Sequence, residues 1–191
     1  DCAGGAVFVF ENATVLSIQP RQGPVNGGTT LVVWGSIAGS IPAATCMFGH
    51  GFRSAARVAM SRLECTAPPS AVGRVALYIV ATGGEFLLPA PSFEYQAAAR
   101  VFVASPSHGG ATGGTLVRVH GRAFSERSAR LSLVGCGFNL TIVSATFSAE
   151  TNVFCESPGL QMTQAVAGSV PLEVTNNLVD FTTDGVLFKY V

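Results

Sequence analysis

Five cysteines, three histidines and one glycine-rich run are the residues that could do chemistry in this 191-residue chain. Cys46 and Cys65 are 19 residues apart, and so are Cys136 and Cys155; Cys2 stands alone. No pair forms C-x-x-C, so neither a zinc ligand set nor a thioredoxin-type redox pair is written. Two equal intervals read as two disulfides, Cys46 with Cys65 and Cys136 with Cys155, which belong to an oxidising compartment. Four buried free thiols are the alternative. In the chain-entropy picture a closed loop of this size stabilises its domain by roughly 3 kcal/mol. The run Gly109-Gly110-Ala111-Thr112-Gly113-Gly114-Thr115 has the look of a phosphate loop. It lacks the Lys such a loop needs, and a strand pattern follows where a helix should begin. It reads instead as a turn, in which glycine supplies positive φ at no steric cost. His50, His108 and His120 fall in or near turns with no carboxylate cluster beside them. A general base needs a positioned partner and a pocket, so these read as surface histidines. Neither H-E-x-x-H, G-x-S-x-G nor a calcium-loop pattern occurs. The expected sets of catalytic residues, metal ligands and cofactors are therefore empty, and the chain is not expected to be an enzyme.

The elements that position these residues are written twice. Pro20, Gly27, Gly28 and Gly35 recur as Pro106, Gly113, Gly114 and Gly121 at an offset of 86. Cys46, Cys65 and Pro68 recur as Cys136, Cys155 and Pro158 at 90, and Phe93-Glu94-Tyr95 recurs as Phe188-Lys189-Tyr190 at 95. The offset grows at two places, so insertions are expected between strands. Phe8-Val9-Phe10 precedes Pro20 much as Phe93-Glu94-Tyr95 precedes Pro106. Residues 1–10 are accordingly expected to be the last strand of a preceding domain, to which Cys2 would belong; pairing between chains, or a free thiol, is the alternative for Cys2. The expected domains are 1–10, then 11–96 and 97–191. The short connection Gln96-Ala97-Ala98-Ala99-Arg100 implies restricted motion between them.

The local pattern is β throughout. Thr29–Trp34, Val75–Val80, Thr115–His120 and Val170–Val174 are short, rich in Val, Leu and Thr, and bounded by Gly or Pro. No window keeps a helical period for three turns. Many short strands between Gly and Pro turns predict sandwiches or barrels.

The composition narrows the class of partner. The chain is 48% hydrophobic and 12% charged, with Lys+Arg 11 against Asp+Glu 11. This balance gives no cationic footprint for nucleic acid. No run of apolar residues is long enough for a membrane span. No basic-then-apolar leader opens the sequence, so any signal peptide is expected to lie outside it or to have been removed. Asn12-Ala13-Thr14 and Asn139-Leu140-Thr141 are sequons, so Asn12 and Asn139 are candidate glycosylation sites in a secreted chain.

The order of motifs resembles the IPT/TIG domain, an immunoglobulin-like β-sandwich. The first copy offers Pro20, Gly27-Gly28-Thr29, Gly35, Cys46-Met47-Phe48-Gly49, Cys65-Thr66-Ala67-Pro68-Pro69 and Phe93-Glu94-Tyr95. The second offers Pro106, Gly113-Gly114-Thr115, Gly121, Cys136-Gly137-Phe138, Cys155-Glu156-Ser157-Pro158 and Phe188-Lys189-Tyr190. Gly121-Arg122-Ala123-Phe124 matches the family's Gly-x-x-Phe corner, from which Gly35-Ser36-Ile37-Ala38 departs. The resemblance implies two tandem all-β sandwiches. The family occurs in plexin-type and growth-factor receptors, fibrocystin-like surface proteins, some transcription factors and accessory domains of sugar-acting enzymes. Fold alone leaves function open. Paired cysteines and neutral charge favour an extracellular, cell-surface glycoprotein segment over the DNA-binding branch.

Trp34 is the most informative single residue. Aligning the copies pairs Leu31 with Val117 and Val33 with Val119, which alternation turns toward the core. Trp34, paired with His120, then faces outward as an interface anchor or as a residue covered by a neighbouring domain or loop. The expected partners are other protein chains or further repeats of the same array, with glycans as a further candidate. The expected role is spacing, stiffness and protein contacts, in an adhesion or receptor ectodomain or a surface fibre. The alternatives are carbohydrate-binding accessory domains of a secreted enzyme, with Trp34 as a sugar platform, and an intracellular DNA-binding domain with reduced cysteines.

Overall fold

In the computed structural model the described residues are 13–36, 44–49, 52–59, 62–81, 87–160 and 168–191. Residues 1–10, Cys2, Asn12 and His50 lie outside them. Internal contacts gather the chain into two units, one drawn from residues up to Arg21 and from Gly27–Tyr95, the other from Gln22–Asn26 and Gln96–Val191.

The first unit is built from β1 (Val15–Gln19), β3 (Thr30–Gly35), β4 (Ala44–Phe48), β5 (Phe52–Ala59), β6 (Arg62–Thr66), β7 (Gly73–Ala81) and β8 (Leu87–Gln96). The short β2 (Gln22–Pro24) falls among the residues grouped with the second unit. The ladder of the first unit runs β1-β3-β6-β5-β4-β7-β8. One strand makes this ladder into a sandwich. The first part of β5 pairs with β4, from Phe52 opposite Phe48 to Ala56 opposite Ala44. Its last three residues pair with β6 instead, Arg57 with Glu64 through Ala59 with Arg62. β5 therefore passes from one layer to the other. Leu31, Val33 and Leu63 from one layer, and Phe48, Leu77, Ile79, Phe93 and Tyr95 from the other, are buried.

The second unit repeats this plan with β9 (Arg100–Ser105), β10 (His108–Gly109), β11 (Leu116–Arg122), β12 (Gly135–Phe138), β13 (Thr141–Ala149), β14 (Asn152–Glu156), β15 (Ser169–Thr175) and β16 (Leu187–Tyr190). Its order is β10-β16-β15-β12-β13-β14-β11-β9. β13 is the crossing strand: its first half pairs with β12 and its second half with β14. Val117, Val119, Phe124, Phe138, Leu172, Val174 and Phe188 form the core. The expected insertion between Gly121 and Cys136 holds α1 (Glu126–Arg130), a single short helix whose Ser125 cap accepts from the Ser128 amide at 3.1 Å. Five residues are too few to show a helical period in sequence.

Each sequence motif has a structural reason. The paired glycines make a turn with left-handed backbone, φ 73° and 88° at Gly27 and Gly28, and 81° and 80° at Gly113 and Gly114. The second glycine of each pair then donates its amide to the carbonyl of the residue just before a proline, Ala67 or Ser157, at 2.8 Å in both units. Gly35 and Gly121 close β3 and β11 for a different reason. A Cβ there would lie 2.0 Å from the Thr14 or Arg100 carbonyl oxygen. The closing aromatic motif packs edge to face: Phe48 on Phe93 at 5.7 Å in the first unit, and Phe138 on Phe188 at 5.2 Å in the second. The peptide bonds before Pro20 and Pro106 are both cis.

Candidate functional site

The structure joins Cys46 to Cys65 and Cys136 to Cys155, with Cα–Cα distances of 6.2 Å and 6.3 Å. Cys46 is on β4 and Cys65 on β6, which belong to different layers; Cys136 on β12 and Cys155 on β14 repeat this. Each bond therefore staples one sandwich shut through its core, where all four residues are buried.

Four amides of the glycine-rich run 109–115 are already spent. Ala111 N–H donates to the Val191 carbonyl at 3.2 Å, and Gly113 N–H to Gly110 at 3.0 Å. Gly114 N–H reaches the Ser157 carbonyl at 2.8 Å and Thr115 N–H the Ser157 hydroxyl at 3.1 Å. These groups build a turn leading into β11, and none of the four is turned out toward an anion. Among the described residues no group of three or more His, Cys, Asp or Glu is placed to hold a metal ion. A cavity of about 170 Å³ in the second unit is lined in part by Arg100, Asn176, Asn177, Asp180, Thr182 and Asp184. Its charged groups already have partners: Asp184 takes Arg100 at 2.8 Å and the Val101 amide at 2.7 Å, and Asp180 accepts from the Asn177 side-chain amide at 2.6 Å.

The surface offers more than the cavity. Trp34 is 40% exposed on β3, opposite Ser17 of β1 and Arg62 of β6. Leu31 and Val33 on the other face of the same strand are fully buried. Beside Trp34 the edge strand β1 carries a bulge: Val15 pairs with Gly35 and Ser17 with Trp34, leaving Leu16 over. Leu16 is thrown outward and is 74% exposed. The second unit repeats the device. Val101 pairs with Gly121 and Val103 with His120, and the extra residue Phe102 is 56% exposed. The Phe102 ring lies 6.0 Å from the His120 ring. Each unit thus presents one apolar bulge residue beside one flat ring, Leu16 with Trp34 and Phe102 with His120.

Sequence reasoning placed Trp34 outward, as observed, and did not single out Leu16 or Phe102. The signal was present in the spacing of the buried positions. Val101 and Ala104 are buried three residues apart, which strict alternation forbids without an inserted residue, and half-buried Val15 precedes buried Ile18 by the same interval. His120 also differs from a plain surface histidine. It is half-buried, with Nδ1 3.3 Å from Asn152 Oδ1, an atom that also accepts from Arg118 Nε at 3.0 Å. His108 is exposed.

Comparison with known proteins agrees with this geometry. The IPT/TIG domain model matches residues 13–95 and again 103–190. The chain belongs to the IPT/TIG family. It is 28% identical to mouse Plexin-B2 over 131 residues and 31% identical to human Plexin-B3 over 118, which are 62% and 60% of this chain. It spans only 6% of the length of either relative. Among solved structures, the full extracellular region of Plexin A4 is similar in fold, with a TM-score of 0.55 and 16% identity over 94% of this chain and 16% of that one. The two IPT/TIG sandwiches with their disulfides are those of a protein outside the cell or at its surface. Among the described residues no helix is long and apolar enough to cross a membrane.

Proposed function

We propose that this chain is a non-enzymatic segment of an extracellular cell-surface glycoprotein, which spaces and stiffens its parent and makes protein contacts through the bulged edge of the sandwich. The observation that carries this reading is the Leu16–Trp34 pair, an aliphatic side chain on β1 and a large flat ring on β3, held outward on paired strands that bury Ile18, Leu31 and Val33 on the other face. Trp is among the residue types enriched at interface anchors, and an edge strand with a bulge resists indiscriminate strand addition while leaving its side chains free to pack. Balanced charge suits contact-driven packing over long-range steering.

In this reading the sandwiches are residues 11–96 and 97–191. The partners are protein chains or further repeats of the same array. An adhesion or receptor ectodomain and a surface-fibre subunit both use such a module. Electron microscopy of the parent protein, released without reduction, separates them: single extended rods are expected for a receptor or adhesin, and ordered polymers for a fibre. Compact particles with neither form would contradict the spacing role.

A further inference from the structure

The second unit bears an apolar ledge away from the β9–β11 edge. Gly135 and Gly137 of β12 point no side chain outward there. A Cβ on Gly135 would lie 3.1 Å from Leu178 and 3.3 Å from Ile142, and one on Gly137 would lie 3.2 Å from Phe181. Ile142, the cross-strand partner of Gly137, therefore shares this face with Leu178 and Phe181. Ile142 is 50% exposed, and Leu178 and Val179 are exposed beside it. The ledge runs to the tip of the β12–β13 hairpin, where Leu140 is 84% exposed. One charged group, half-buried Glu173 opposite Gly137 on β15, shares this face; exposed apolar residues gathered in one place are what a surface protein ordinarily covers.

The residue at that tip is Asn139. It is exposed, and its backbone sits at φ 56°. Asn tolerates the left-handed region, which accounts for Asn at this turn but not for Thr two residues on. Asn139-Leu140-Thr141 is a sequon, held on the outside of a hairpin whose two strands are fixed by Phe138 opposite Thr141. The Asn139 amide N–H is tied to the Pro171 carbonyl at 2.9 Å, so the backbone is anchored while the side chain is free to project.

We propose that Asn139 carries an N-linked glycan that lies over the ledge of Leu140, Ile142 and Leu178 and keeps it from other apolar surfaces. The donor is an oligosaccharide linked through pyrophosphate to a lipid, supplied by the secretory pathway. Asn139 Nδ2 forms a bond to the anomeric carbon of the first N-acetylhexosamine. The bond from that carbon to the pyrophosphate oxygen breaks, lipid pyrophosphate leaves, and Nδ2 gives up one proton, with no change of oxidation state. This rests on the reading of the chain as part of a secreted glycoprotein and goes beyond its contact role, since the contact edge around Phe102 and His120 is left open and its failure would be seen separately.

The test is to pass the chain through a eukaryotic secretory pathway and treat the folded product with N-glycosidase in heavy-oxygen water. The peptide holding residue 139 is expected as Asp carrying heavy oxygen in the wild type and in Thr141→Ser, and as unmodified Asn in Thr141→Val. Unmodified Asn139 in secreted, disulfide-intact wild type would overturn the site. Removing the glycan from the folded wild-type chain is expected to raise binding of a hydrophobic dye about twofold, as should Thr141→Val relative to Thr141→Ser. Unchanged dye binding on deglycosylation, which needs no variant to fold, would overturn the cover.

Discussion

Tyr95 and Tyr190 end the same closing motif, yet their hydroxyls meet different surroundings. Tyr190 donates to the Pro158 carbonyl at 2.9 Å. The buried Tyr95 hydroxyl has no hydrogen-bond partner among the described residues. Tyr190→Phe is therefore expected to cost about 1 kcal/mol in urea unfolding, and Tyr95→Phe to be neutral or slightly stabilising. Burial pushes both phenols up, Tyr95 to about 12. The unfolded chain ionises a tyrosine near pH 10, about two pH units before folded Tyr95 does. Stability from this group is thus complete below about pH 10 and is lost as pH rises from about 10 to 12. Urea midpoints at either end of that window should show a smaller fall for Tyr95→Phe than for wild type. The shared Phe-x-Tyr motif was legible in the sequence. The difference between its two hydroxyls was not, because it depends on which carbonyl the fold brings across from another loop.

At the scale of elements, the glycines separate two physical demands. Gly121 leaves no room for a Cβ, which would strike the Arg100 carbonyl oxygen, whereas a Cβ on Gly114 would meet only Glu156 Oε1 at an ordinary 3.9 Å, so its positive φ is the demand there. Thermal unfolding should show Gly121→Ala costing roughly 3 kcal/mol or more, and Gly114→Ala about 1 kcal/mol. Both positions were visible as repeated glycines, but one motif letter stood for two causes. The bulges were harder to see. Val15-Leu16-Ser17-Ile18 and Val101-Phe102-Val103-Ala104 each break alternation once, and a single break in a short strand is easily absorbed by shifting the strand boundary. Leu16→Ser, at a residue with no core role, should leave stability within about 0.5 kcal/mol of wild type. A larger loss would mean that Leu16 packs in the sandwich and is not presented by the bulge.

At the scale of the whole molecule, duplication made the sequence readable. Cysteines, turn glycines and closing aromatics each carry a weak signal alone, and their order seen twice fixed the sandwich and the IPT/TIG family. The crossing strands β5 and β13 were not legible, since pairing with two partners in succession leaves no mark on residue type. Each disulfide ties one layer of a sandwich to the other, so removing Cys46 and Cys65 together should cost about 2–4 kcal/mol by denaturant unfolding. The identity of the partner is written nowhere in these motifs, because turn, staple and core residues serve every member of the fold alike. The proposed contact role rests on what the chain presents on the bulged edge. The most direct measurement is binding of the disulfide-intact chain to the surface of cells that bear the parent protein, wild type beside Trp34→Ala and Trp34→Phe. The account predicts saturable binding that is abolished by protease treatment of the cells, weakened about tenfold or more by Trp34→Ala and largely kept by Trp34→Phe. Equal binding by Trp34→Ala, or binding that survives protease and disappears when surface glycans are stripped, would contradict it.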